Sequence, residues 1–78
     1  MKIKCGKKEC DVHIGDEIMF NEAIYILMIP DKPVISKALF KKLVREDVIV
    51  KKGKFAYTSK WTTAYYDRFV FVKEEFDI

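Results

Sequence analysis

The chain has 78 residues, half of them hydrophobic and 35% charged, with a formal net charge of +3. That length holds one small domain of about 11–12 Å radius of gyration and excludes a second. The longest apolar run, Ala23 to Pro30, is too short to span a bilayer, and Met1-Lys2-Ile3-Lys4-Cys5 is followed by no apolar stretch of signal-peptide length, so a cytoplasmic protein with no membrane contact is expected.

Charge and side-chain parity predict an opening hairpin, with Lys2 to Cys5 pairing against Cys10 to His13 around the loop Gly6-Lys7-Lys8-Glu9. This register sets Cys5 opposite Cys10 and Ile3 opposite Val12 on one face, and Lys4 opposite Asp11 on the other. Gly15-Asp16 reads as a turn, followed by Glu17 to Phe20 and a break at Asn21-Glu22. The unbroken apolar run Ala23 to Ile29, with three isoleucines and a tyrosine, favours a buried strand over the alternative that periodicity leaves open, a helix capped by Asn21. Pro30-Asp31-Lys32-Pro33 is a connection, because the residue before each proline is pushed out of the helical region.

A helix is predicted over Lys37 to Glu46. Ser36 is its N-cap, and Ile35 and Phe40 are placed to staple its start. Leu39, Phe40, Leu43 and Val44 line the inward face, and Lys37, Lys41, Lys42 and Arg45 the outward one. Its charges oppose the helix dipole, with Lys37 in the first turn and Glu46-Asp47 at the end, so packing must hold it. Val48 to Lys51 and Lys54 to Thr58 then predict a second hairpin about Lys52-Gly53, with Val48, Val50, Phe55 and Tyr57 inward and Lys51 opposed to Lys54. Ser59 to Asp67 fits either a short helix or a strand. Arg68 to Lys73 reads as a strand buried on both faces or placed at an interface, and Glu74 to Ile78 as a fraying end. The expected fold is α+β: a small, mainly antiparallel sheet of two hairpins and additional strands, with one amphipathic helix packed on it, in a single domain over residues 1–78.

Charge is unevenly distributed along this chain. Between Lys32 and Lys60 there are nine basic residues against two acids, whereas the flanking stretches are each slightly acidic. A positive excess so confined predicts one electropositive face and an anionic partner, of which nucleic acid is the commonest. The residues expected to contact phosphate are Lys37, Lys41, Lys42, Arg45, Lys51, Lys52, Lys54 and Lys60. Lysines on a surface helix and a sheet edge also serve solubility alone. The segment from Ser36 to Thr58 resembles the last helix and wing of winged-helix DNA-binding domains, a pattern of amphipathic helix running into a hairpin with a basic tip. That resemblance implies that Lys37, Lys41, Lys42 and Arg45 face the groove and that Lys51, Lys52 and Lys54 touch phosphates. It covers about a third of the chain, and Pro30 to Ile35 is too short for the further helix a helix-turn-helix needs.

Eleven aromatic side chains (six Phe, four Tyr, one Trp) exceed what so small an interior encloses. The second expectation is therefore a protein-interaction module or inhibitor docking through exposed aromatics or a sheet edge, or forming a homodimer. Trp61, Tyr65 and Tyr66 beside Lys60 and Arg68 also suit stacking on single-stranded bases. Cys5, Cys10 and His13 form a C-x4-C-x2-H cluster that lacks a fourth zinc ligand. Reduced thiols rank first for the cysteines, a disulfide second and zinc third. The absence of glutamine, a lone asparagine (Asn21) and abundant lysine lean towards a thermophilic source, where intracellular disulfides do occur.

His13 is the only histidine, and the acid pairs Asp16-Glu17 and Glu74-Glu75 would point to opposite faces of a strand. Gly6, Gly15 and Gly53 are too scattered to cradle a phosphate. No enzymatic activity, cofactor or small-molecule substrate is expected. The leading expectation is a non-enzymatic protein that binds nucleic-acid phosphate.

Overall fold

The computed structural model describes residues 1–75. Its elements in chain order are β1 (Lys2–Cys5), β2 (Lys8–Asp11), β3 (Glu17–Asn21), β4 (Ile24–Met28), β5 (Val34–Ile35), α1 (Lys37–Arg45), β6 (Ile49–Thr58) and β7 (Thr63–Phe71). Together they make an α+β fold of two antiparallel sheets: the hairpin β1-β2, and a five-stranded sheet in the order β5-β4-β3-β7-β6. No helix among the described residues is long and apolar enough to cross a membrane.

The first hairpin turns on Gly6-Lys7, a tighter loop than the four residues expected. Gly6 takes φ 69, the left-handed conformation that a primed two-residue turn demands and that glycine adopts without a Cβ clash. The register therefore slips by two residues: Ile3 faces Cys10, Lys4 faces Glu9, Lys2 faces Asp11, and Cys5 faces Lys8 rather than Cys10. A slip of two preserves the faces, so Ile3, Cys5, Cys10 and Val12 are all buried, and Lys2 and Lys4 stand opposite Asp11 and Glu9.

β3 and β4 pair across Glu22-Ala23, both at positive φ (48 and 67) as a type I′ loop requires. β5 adds to the outer edge of β4, a two-residue strand too short for periodicity to announce. Ser36, in extended conformation, caps α1 by accepting a hydrogen bond at Oγ from the Leu39 N–H at 3.1 Å. The helix ends in a Schellman motif: Asp47, at φ 57, donates its N–H to the Val44 carbonyl, and Val48 donates to that of Leu43. Leu43 and Val48 are both buried, which completes the motif's apolar contact, whereas Val44, expected inward, is exposed.

The expected second hairpin is not formed. Val48 to Thr58 does not reverse at Lys52-Gly53; β6 runs continuously from Ile49 to Thr58, and the ladder with β7 carries a bulge between Lys51 and Gly53. Gly53 at φ 137 serves that bulge, the other common role of a glycine within a strand. The chain reverses instead at 59–62, where the Ser59 N–H donates to the Thr62 carbonyl at 2.8 Å and Ser59 Oγ donates to the same oxygen at 3.0 Å. β7 accordingly starts at Thr63, so the stretch that fitted either helix or strand is turn followed by strand. The winged-helix resemblance fails here, because its wing would need the hairpin that β6 replaces.

Side-chain parity places the core on one face of the large sheet. Ile18 of β3, Tyr25 and Leu27 of β4, Ile35 of β5, Ile49 of β6 and Phe71 of β7 point to one side. There they meet Leu43 of α1 and the buried residues of the first hairpin. An aromatic run fixes the helix over the sheet: Phe20 stacks on Tyr25, Tyr25 packs against Phe40 with centroids 4.4 Å apart, and Phe40 meets Phe69 edge-on at 4.9 Å. Arg68 to Lys73, expected to be a strand buried on both faces or placed at an interface, is strand only as far as Phe71 and is covered on one face: Phe69 and Phe71 face the core, and Val70 turns to the other side. At the end of the chain, Glu74 accepts a hydrogen bond from the Ile14 N–H at 3.3 Å; the remainder of the expected fraying end, residues 76–78, lies outside the described residues.

Candidate functional site

The helix and the first hairpin cover only one face of the five-stranded sheet. On the other face the alternate residues of the same strands are exposed or half-buried: Met19, Ile24, Ile26 and Met28 from β3 and β4, Val34 from β5, Val50, Phe55 and Tyr57 from β6, and Tyr66 and Val70 from β7. A groove of about 490 Å³ lies there, floored by Met19, Ile26 and Met28 and walled by Phe55, Tyr57 and Tyr66, with Glu17, Lys32 and Arg68 at its polar margin. Phe55 and Tyr66 sit directly opposite one another, ring centroids 6.3 Å apart.

One electrostatic cluster belongs to this face. Arg68 reaches Glu17 with Nε at 2.7 Å and Nη2 at 2.6 Å from the same carboxylate oxygen, and Lys52 Nζ stands 3.9 Å from the other. Glu17 and Arg68 lie on neighbouring strands and are half-buried, so this charge-assisted pair ties β3 to β7 through side chains as well as backbone. With Glu17 already engaged by two cations, the groove margin carries a positive excess.

β6 and β7 extend beyond the rest of the sheet. β3 pairs with β7 only from Asp67 to Val70, so 55–58 and 63–66 project as a two-stranded ribbon, and the molecule measures 42 × 25 × 20 Å. Trp61 stands at the ribbon tip, 86% exposed, with the Lys60 ammonium 5.6 Å from its ring centroid. Tyr65 is exposed on the helix side of the ribbon, opposite Ala56.

The eight cations anticipated from the sequence fall at four places. Lys37, Lys41, Lys42 and Arg45 belong to α1. Lys51 and Lys54 lie across from Phe69 and Asp67, which places them on the helix side of β6, and Lys51 Nζ is 3.9 Å from Asp67. Lys52, the extra residue of the bulge, turns to the open face and Glu17, while Lys60 sits at the distant tip. Lys51 and Lys54 are not opposed to each other as the sequence reading required, since each faces β7. The bulge thus divides Lys51, Lys52 and Lys54 between two faces.

The thiols of Cys5 and Cys10 are free and buried. Burial and the neighbouring Cys10 push the Cys5 thiol up to about 12. His13 turns away from them, with Nε2 3.5 Å from Asp11 and Nδ1 3.5 Å from Glu74. Among the described residues no three histidine, cysteine or acidic side chains are grouped to hold a metal ion.

The sequence reading missed the groove because most of its floor comes from β4, whose run is apolar on both faces and conceals which side is covered. The surplus of aromatics was the one signal for it. No family model, curated protein or solved structure matches the chain.

Proposed function

We propose that the chain is a non-catalytic interaction module whose open sheet face docks a segment of a partner protein. The observation that carries this reading is the groove itself, an uncovered surface of methionine, isoleucine and aromatic side chains opposite the core. Methionine adapts its shape to a ligand, and aromatics contribute large contact areas at small entropic cost, which is the composition of protein-docking surfaces. Lys32 and Arg68 at the margin complement an apolar segment flanked by acids. The test is selection of displayed peptides on the immobilised protein. Enriched peptides combine apolar and acidic residues and lose at least tenfold in affinity on Met19→Arg, a loss of roughly 1.4 kcal/mol or more. Peptides that bind the variant as well as the native chain refute the reading.

Nucleic-acid binding is the second reading, and it is favoured by one observation: the basic residues of α1 share a side of the sheet with Lys51 and Lys54. This reading predicts oligonucleotide affinity that falls with salt at a log-log slope of about −3 to −5 for four to six phosphates. Lys51→Glu with Lys54→Glu weakens that binding, whereas Lys52→Glu, on the opposite face, leaves it nearly unchanged. A flat salt response removes it.

A further inference from the structure

β6 forms one margin of the large sheet along its whole length, and its two ends are chemically different. The direction of its backbone groups follows from the ladder. The Phe71 N–H donates to the Asp16 carbonyl and its carbonyl accepts from Gly15, so odd-numbered residues of β7 turn towards β3 and even-numbered ones towards β6. The bond from the Val72 N–H to the Val48 carbonyl and the bond from the Ser59 N–H to the Thr62 carbonyl both agree with this alternation. Beyond the bulge, Phe55 and Tyr57 therefore exchange hydrogen bonds with β7, while Lys54, Ala56 and Thr58 present theirs outwards, where no further strand lies among the described residues.

We infer that this margin pairs with β6 of a second copy, antiparallel about a two-fold axis at Ala56. The register sets Ala56 against the partner's Ala56 and Lys54 against the partner's Thr58, all through outward-facing backbone groups. It also brings Phe55 opposite the partner's Tyr57 as a non-hydrogen-bonded pair, where side chains approach most closely. Both rings are exposed in one copy, Phe55 by 43% and Tyr57 by 56%, and both lie on the open face, so each ring of one copy gains an aromatic neighbour from the other.

Among the symmetric registers centred on an outward-facing residue, charge and chain geometry select this one. Centring the axis on Lys54 opposes two lysines directly, which is destabilising, and centring it on Thr58 runs the ladder into the turn at 59–62. Nearer the helix, Lys51, Lys52 and the bulge guard the edge against pairing. Four residues, Phe55 to Thr58, remain free of charge and free of a bulge. The two grooves then lie on one continuous face, each with a wall formed by β6 beside the junction. The inference concerns an edge rather than that face, so it stands or falls separately from partner docking.

Edge pairing buries little area, and the dimer is expected in the micromolar range. Sedimentation equilibrium of the full chain across a concentration range measures it. Ala56→Pro removes an outward N–H without costing the β6-β7 ladder a bond, and it yields a monomer. Thr58→Lys places like charges together twice and raises the dissociation constant on the order of tenfold, while adding Lys54→Glu to Thr58→Lys restores the dimer, since only this register joins those two positions. Circular dichroism confirms folding, and the charge pair keeps the test decisive if the proline variant does not fold. A chain that stays monomeric at its highest soluble concentration overturns the inference, as does a dimer indifferent to the charge exchange. Met19→Arg, which abolishes groove docking, leaves the dimer intact.

Discussion

Ile26 and Leu27 are neighbours on β4 with side chains of the same size, and the fold sends them to opposite faces. Leu27 is fully buried against the core, whereas Ile26 lines the open groove and is half-exposed. Replacing each by alanine measures how one-sided the sheet is. Leu27→Ala removes buried methyl groups and leaves a cavity, at a cost of about 3 kcal/mol within the usual range of 2–5. Ile26→Ala loses part of a half-exposed contact and leaves a dent that water fills, at a cost of about 1 kcal/mol. For a domain of this size each kcal/mol is worth roughly 4–8 °C, so Leu27→Ala melts roughly 12–24 °C lower and Ile26→Ala roughly 4–8 °C lower. Urea denaturation followed by far-UV circular dichroism gives the same ordering in midpoint, with equal slopes if both variants unfold in two states. Equal costs at the two positions would mean that the second face is covered, and the groove would lose its standing as a docking surface.

Asp47 holds the left-handed position of the Schellman motif, where glycine has no Cβ penalty, so Asp47→Gly raises stability by about 1 kcal/mol in thermal melts. Glu17→Gln keeps the shape of the side chain but removes the charge shared by Arg68 and Lys52; the loss is about 1 kcal/mol by urea titration, and Lys52→Ala, acting across 3.9 Å at an exposed site, costs well under half of that. The Cys5 thiol is raised from 9.0 to about 12, so the folded state holds its proton more tightly than the unfolded chain. That contribution is fully present below pH 9, and is lost as pH climbs towards 12, a fall visible in denaturation midpoints at alkaline pH and absent from Cys5→Ala. Iodoacetamide at pH 8 accordingly labels Cys5 only after denaturant is added.

The α+β class and the helix were legible because their signals are local. Ser36 caps, the prolines punctuate, and the apolar spacing from Leu39 to Leu43 marks the face of α1. What failed depended on partners distant in sequence. Lys52-Gly53 has the composition of a hairpin turn, yet Gly53 adopts φ 137 in a bulge because β7, arriving more than ten residues later, pairs along the whole of β6. A glycine between two apolar runs signals positive φ, and both a primed turn and a bulge use it; local sequence cannot separate them. The register of the first hairpin went astray for a related reason. Charge and parity are satisfied equally by registers two residues apart, and the tighter loop, with Gly6 at its first position, decides between them. Assigning lysines to a hairpin tip inherited the misplaced turn, so the basic site was the part of the reading least supported by local chemistry.

The same composition that promised an apolar surplus explains where the surplus went. A five-stranded sheet has two faces, and the described residues provide a single nine-residue helix and one short hairpin to cover them. Those elements suffice for one core, closed by Leu43 and the first hairpin over Ile18, Leu27, Ile35, Ile49 and Phe71. A soluble antiparallel sheet covered on one side ordinarily alternates apolar inward and polar outward. Here β4 places Ile24, Ile26 and Met28 outward, and β6 places Val50, Phe55 and Tyr57 on the same face. Stability of the monomer does not require those side chains to be apolar, since polar residues with strand propensity would satisfy the same backbone. Their presence on the uncovered side, beside a lysine-guarded edge whose end is uncharged, is not required by the fold, and it is the feature on which the proposed docking and edge pairing rest.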